Sequence, residues 1–126
     1  MVILKEYNAL SIVYPAVQNI LKGLKSVEIR SWLPPELPLY DLVLVENNLY
    51  LNDGDVDPNG KTIALVDVIK VEEWTYQDSL QQNSHIKIGR EWKPGYFLWH
   101  LENIREINNK EKCLAKKGIY SIKLNT

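Results

Sequence analysis

Lys25, Glu28 and Arg30 stand close together in the run Gly23 to Trp32 (GLKSVEIRSW). In an extended strand alternate residues share a face, so Ser26, Glu28 and Arg30 point one way and Val27 and Ile29 the other. Lys25 sits at the turn just before that strand. A cation–carboxylate–cation set of this kind suits a phosphate or the edge of a base. Arginine offers a planar fork of donors to either. Glu28 can accept from an exocyclic amine, or act as a general base if its pKa is raised. In a hydrolase, Lys25 and Glu28 would move protons and Arg30 would stabilise developing negative charge. The same spacing serves equally for an ion pair that ties the strand to its neighbour, Glu28 with Lys25 or with Arg30.

Trp32, Tyr14 and Trp99 are aromatic platforms on which a base could stack. Core packing competes for the same residues, since one domain with four tryptophans and seven tyrosines must bury many of them. Trp32 directly follows the charged strand face and is the best placed of the three. Ser11 and Asn103 are small polar residues in strand-like runs, fit to bond a ligand or a nearby backbone group. Strict alternation puts Trp99 and His100 on opposite faces, so they cannot both line one pocket. Two isolated histidines, His85 and His100, and the single Cys113 give no metal-ligand spacing, and no metal or cofactor is expected. Ser26 shares a face with Glu28 and lies near Lys25, the nearest thing to an activated hydroxyl.

These side chains need a scaffold. Ala9 to Val13 reads as a strand that Tyr14-Pro15 ends. Pro15 suits a helix start. Val17, Ile20, Leu21 and Leu24 then follow at the spacing of one apolar helix face, with Gly23 as the stop. The alternating strand over 26–32 comes next, and the three prolines of Leu33 to Pro38 exclude regular sheet there. Tyr40 to Val45 reads as a strand, Asn47-Asn48 as a turn, Leu49 to Leu51 as a short return and Asn52 to Gly60 as a polar loop. Lys61 to Val71 is the strongest strand signal in the chain. Trp74 to Ser84 has room for a short helix. Tyr96 to Arg105 and Gly118 to Leu124 are the remaining strands.

A chain of 126 residues with 45% hydrophobic and 25% charged side chains is expected to form one domain over 1–126. It has no apolar run long enough for a membrane span and no secretory signal pattern. One cysteine excludes an internal disulfide, and a reducing cytoplasm is the expected location. Net charge is −1, so the whole chain is not built as a nucleic-acid-binding polycation. The charge is uneven, −4 over residues 1–60 and +3 over 61–126. Lys110, Lys112, Lys116 and Lys117 form a basic cluster that reads either as a solvated loop or as a phosphate contact.

The run Gly23 to Trp32 resembles the signature of the ASCH domain, a G-x-K-x-x-E-x-R-x-W pattern met here by Gly23, Lys25, Glu28, Arg30 and Trp32. Leu10-Ser11-Ile12 with Tyr14-Pro15, Lys61 to Val71, Trp99 to Arg105 (WHLENIR) and Ala115 to Ile122 (AKKGIYSI) resemble further family segments, in the right order over nearly the whole chain. The resemblance implies an α+β, β-rich fold: a small PUA-like mixed β-barrel of five to six strands with one or two short helices and a cleft beside a helix. It implies a binding module for single-stranded RNA or a modified nucleotide, with Ser11, Tyr14, Lys25, Glu28, Arg30, Trp32, Trp99 and Asn103 at the ligand. One alternative is a hydrolase acting on RNA or an acylated nucleoside through Lys25, Glu28 and Arg30. Another is a protein-interaction or regulatory domain docking through Leu33 to Pro38 and the lysine cluster. Some members resemble amidohydrolases whose threonine nucleophile follows the lysine by three residues. Glu28 stands at that position here, which argues against that chemistry.

Overall fold

The computed structural model describes residues 4–87 and 90–125. Seven strands and three short helices follow in the order β1 (Leu4–Val13), α1 (Ala16–Leu21), β2 (Val27–Arg30), β3 (Leu39–Asn47), β4 (Val56–Glu73), α2 (Tyr76–Gln81), α3 (Ser84–Lys87), β5 (Phe97–Glu106), β6 (Lys112–Lys116) and β7 (Ile119–Asn125). The β-rich α+β class agrees with the expectation. The counts do not: there are seven strands rather than five or six, and three helices rather than one or two.

The strands join one sheet in the order β2-β5-β4-β3-β1-β7, with β6 laid on β4 off that path. β1 and β3 run parallel and every other pairing is antiparallel. The 18-residue β4 is the spine. Its first part, from Val56 to Lys61, pairs β6; its later part pairs β3 on one side and β5 on the other. The polar stretch read as a loop to Gly60 therefore becomes strand at Val56. Asparagine and aspartate side chains there bond local backbone without preventing a ladder, as Asp57 does for the Asn59 N–H at 2.9 Å. Leu49 to Leu51 is not a strand. Tyr14 N–H donates to the Asn47 carbonyl, and the Asn47 side chain bonds the Leu49 carbonyl. The chain leaving β3 is thus anchored locally.

The sheet does not close into a barrel. The pairing path ends at β2 on one side and at β7 on the other. β7 follows β1 only as far as Leu10, opposite Ile119. Beyond it the Ser11 carbonyl accepts from the Arg30 side chain at 3.1 Å, so a guanidinium spans the gap where a closing strand would lie. β2 has four residues, and the proline-rich segment after it cannot extend a ladder.

The main core lies between α1 and the sheet. Ala16, Val17 and Ile20 of α1 pack with Leu10, Leu42, Leu44, Val66, Val68 and Trp99. Leu24, expected on that apolar face, lies past the helix end and is exposed. Gly23 ends the helix as anticipated, at φ +77°, where a left-handed backbone favours glycine. Val27 and Ile29 form a second cluster with Trp74 and Leu98, on the opposite face of β2 from Glu28 and Arg30. The alternation expected over residues 26–32 is observed at 27–30; Ser26, Ser31 and Trp32 lie outside the strand.

Candidate functional site

The gap between β1 and β2 is a hollow of about 400 Å³. That lies within the usual range for small-ligand sites, roughly 300–1,000 Å³. Its floor and walls bring together Ser11, Lys25, Glu28, Arg30 and Trp32. Tyr50, Ile86, Lys87, Arg90 and Tyr96 close other sides, and Lys116 and Lys117 stand at its rim beside an adjoining trough that also borders Trp32.

Lys25 is fully buried at 1% exposure, and its ammonium donates to the Ile86 carbonyl at 2.9 Å. Burial pushes its pKa below the ordinary lysine value; Glu28 opposes that, while Arg30 and Arg90 add to it. Glu28 Oε1 lies 3.5 Å from Arg30 Nε. Neither Glu28 Oε2 nor Arg30 Nε hydrogen-bonds another group among the described residues, although both are buried. Arg30 is held through its Nη2 on the Ser11 carbonyl. Ser11 Oγ lies 2.6 Å from the Tyr120 hydroxyl, whose pKa burial pushes up while that bond opposes the rise. The ion-pair reading of Glu28 and Arg30 and the ligand-facing reading thus describe one arrangement. The two side chains attract each other through Arg30 Nε and Glu28 Oε1, a contact without a hydrogen bond, and Glu28 Oε2 is left with no partner among the described residues.

Three expected site residues lie elsewhere. Trp99 is fully buried in the main core, so it is a packing residue and no wall of the hollow. It touches the site only through Trp32, whose ring meets it edge-on at 4.8 Å and whose carbonyl accepts from its indole N–H at 3.3 Å. Tyr14 is exposed, and its ring lies outside the lining because the chain turns into α1 there. Asn103 sits at φ +49° in a bulge of β5 and is not among the residues that line the hollow. It donates to Asp67 Oδ2 at 3.1 Å. Asp67 also accepts from the Asp41 N–H at 3.0 Å and from Arg105 at 3.3 Å. Burial acts to raise the Asp67 pKa, but those three donors outweigh it and hold the carboxyl below its ordinary value. This cluster pins two strand irregularities, one at Asp41 in β3 and one at Asn103 in β5. Ser26, placed by alternation beside Glu28, precedes β2 and is exposed outside the lining.

Sequence reasoning missed Arg90 and Tyr96. The Arg90 guanidinium stands 5.1 Å from the Tyr96 ring centre and donates to the Ile29 carbonyl at 3.2 Å. The only signal in the sequence was basic and aromatic residues interleaved in an otherwise aperiodic stretch. The lysine cluster divides. Lys112 and Lys116 belong to β6 rather than a loop, Lys110 pairs with Glu106, and Lys117 pairs with Asp53. No cluster of three or more His, Cys, Asp or Glu side chains fit to hold a metal ion occurs among the described residues. No helix among them is long and apolar enough to cross a membrane.

Two comparisons bear on this arrangement. No curated protein matches the chain. Residues 10–111 match the family pattern described as the ASCH domain, a span that runs from the end of β1 through β5 and takes in the whole Lys25–Trp32 run. The chain belongs to the ASCH domain family.

Proposed function

We propose that this domain binds single-stranded RNA or a modified nucleotide in the hollow between β1 and β2. The observation that carries the reading is convergence: Lys25, Glu28, Arg30 and Trp32 line one concave site of about 400 Å³. That site has the size and mixed lining of a small-ligand pocket. Trp32 is half-buried, with Trp99 against its edge, and offers a stacking surface. The cations favour a ligand that carries phosphate. Tyr14, Trp99 and Asn103 have no direct part in this version of the site.

A panel of modified nucleosides and short single strands, screened by thermal shift, tests the reading, because a ligand that binds only the folded state raises its stability. Binders are expected to lose affinity in Arg30→Ala, titrated at a temperature where its melting curve shows it folded, because the change also removes a partner of the Ser11 carbonyl and of Glu28. Equal affinity in the variant would reject the site.

A hydrolase reading is favoured by one observation, the buried amine of Lys25 beside the Glu28 carboxylate, with a pKa below the ordinary value. Incubating the protein with RNA and acylated nucleosides separates the two. Turnover abolished by Glu28→Gln supports the enzyme, and binding without turnover supports the binding module.

A further inference from the structure

We infer that the ligand enters the hollow base first, presents an N–H donor beside an acceptor to Glu28 and Arg30, and leaves its phosphate at the rim. This rests on the nucleotide reading above and specifies which part of the nucleotide goes where.

The argument starts from Glu28. Its side chain is 7% exposed and lines the hollow. Oε1 faces Arg30 Nε at 3.5 Å, and Oε2 makes no hydrogen bond among the described residues. A buried carboxylate oxygen left without a donor is costly, more so than a neutral acceptor. A ligand bearing an N–H satisfies it. A phosphate in the same place would set anion against anion. Arg30 supplies the complement: its Nε lies buried 3.5 Å from Glu28 Oε1 and makes no hydrogen bond among the described residues, while its Nη2 is committed to Ser11. An acceptor without a partner and a donor without a hydrogen bond sit on neighbouring side chains of one strand face. Together they fit a group in which N–H and a carbonyl or ring nitrogen are adjacent, as they are on the pairing edge of a nucleobase. The exposed cations line the rim. Lys116 and Lys117 are exposed where the hollow meets the trough, and of these Lys117 already has an acidic partner in Asp53. A phosphate on Lys116 with the base inward satisfies both ends at once.

Calorimetric titration of the full chain tests this with the four nucleoside monophosphates. The tightest of them is then compared with its counterpart in which the N–H donors of the pairing edge are replaced by N–methyl. Affinity is expected to fall by on the order of tenfold or more on methylation. Inorganic pyrophosphate is expected not to displace the nucleotide. Because methyl groups also add bulk, the comparison is repeated in Glu28→Met, checked for folding by its melting curve, where the penalty for methylation should largely vanish. Lys116→Ala should weaken the nucleotide while leaving the parent nucleoside unchanged. Equal binding of the methylated form, an undiminished penalty in Glu28→Met, or displacement by pyrophosphate would each overturn the base-inward orientation and leave the nucleotide reading standing. Failure of these nucleotides, and of the modified nucleosides and short single strands of the panel above, to bind would sink both.

Discussion

Replacing Lys25 by methionine should leave the fold nearly as stable at neutral pH and remove a pH dependence that only a poorly compensated buried ammonium can produce. Lys25 is 1% exposed and makes one hydrogen bond, to the Ile86 carbonyl. Methionine has similar length and no charge. It relieves the desolvation of the ammonium, and exchanging a buried ion for an apolar residue of similar volume is often neutral or stabilising by about 1–4 kcal/mol. Against that, the Ile86 carbonyl loses its donor, at a cost of about 1–3 kcal/mol. The two offset to within about 3 kcal/mol. Lys25→Ala lacks the compensating volume and should be worse by about 2 kcal/mol or more, as buried large-to-small changes are. The pH dependence carries the sharper test. The Lys25 pKa is lowered in the folded state, mainly by burial. Between that lowered value and the ordinary lysine value the unfolded chain therefore holds the extra proton, and the wild type gains stability as pH rises. The slope approaches about 1.4 kcal/mol per pH unit inside the window. Tyr120 and Cys113, both held above their ordinary values by burial, subtract stability over the alkaline range. They do so equally in both proteins and cancel in the difference. Urea unfolding followed by tryptophan fluorescence from pH ~7 to ~10 gives that difference directly. A wild-type-minus-methionine gap that stays flat or shrinks with rising pH would refute the account of Lys25 as an ammonium held at a cost.

Trp99→Ala should lower stability by about 3–5 kcal/mol, whereas Trp32→Ala should lower ligand affinity by about 1–3 kcal/mol; calorimetric melting and titration of both variants check the contrast, and similar profiles would contradict it. Gly60→Ala should destabilise by about 1–3 kcal/mol, because a Cβ there would meet the Cys113 carbonyl at 2.8 Å and Ala115 and Val45 at 3.0 Å; an unchanged melting temperature would mean that the β4–β6 seam yields. Asp67 holds a lowered pKa, so its stabilisation is present above the ordinary aspartate value of about 3.9 and is lost as pH falls through the folded value; Asp67→Asn should be less stable at neutral pH and lose less on acidification, as read by urea midpoints. With one or two phosphates at the rim lysines, affinity for a short single strand should fall only about threefold to sevenfold between 50 and 200 mM salt; a loss of a thousandfold would indicate a long nucleic-acid track instead.

The face of β2 was readable because strand alternation is local. Val27 and Ile29 go to apolar neighbours, and Glu28 and Arg30 to the hollow, with no information needed from elsewhere in the chain. Helix α1 was readable for the same reason up to Leu21, and misread at Leu24 because Gly23 had already ended the helix. The far wall of the hollow was not readable. Ile86, Lys87, Arg90 and Tyr96 carry no period, and tertiary bonds place them: Lys25 on the Ile86 carbonyl, Arg90 on the Ile29 carbonyl and the Trp92 indole on the Trp74 carbonyl. In sequence Asn103 reads only as a small polar residue in a strand-like run, and its place beside Asp67 follows from a bulge, which is set by the partner strand and leaves no local signal. Trp99 shows the limit of aromatic composition as a guide. Trp32 and Trp99 are the same residue type in adjacent positions in space, and which of them the core takes is decided by the register of β5 on β4.

The open seam and the site are one feature. A sheet closed between β1 and β2 would satisfy the Ser11 carbonyl with a strand N–H and leave no hollow. Here Arg30 performs that bond from a side chain, which leaves the hollow open and keeps the guanidinium in place through Nη2, with Nε against Glu28 Oε1. The polar floor that results costs stability: a buried ammonium, and a buried carboxylate with one oxygen uncommitted. The cost is tolerable because the main core of α1 against β1, β3, β4 and β5 lies in a separate cluster whose members are apolar. Glu28 and Arg30 share β2 with Val27 and Ile29 but face away from them, so a substitution on one face need not disturb packing on the other. That separation confines a substitution of Glu28 or Arg30 to the polar face, but Arg30 also holds the Ser11 carbonyl and pairs with Glu28, so a binding defect in Arg30→Ala has to be read beside its melting temperature.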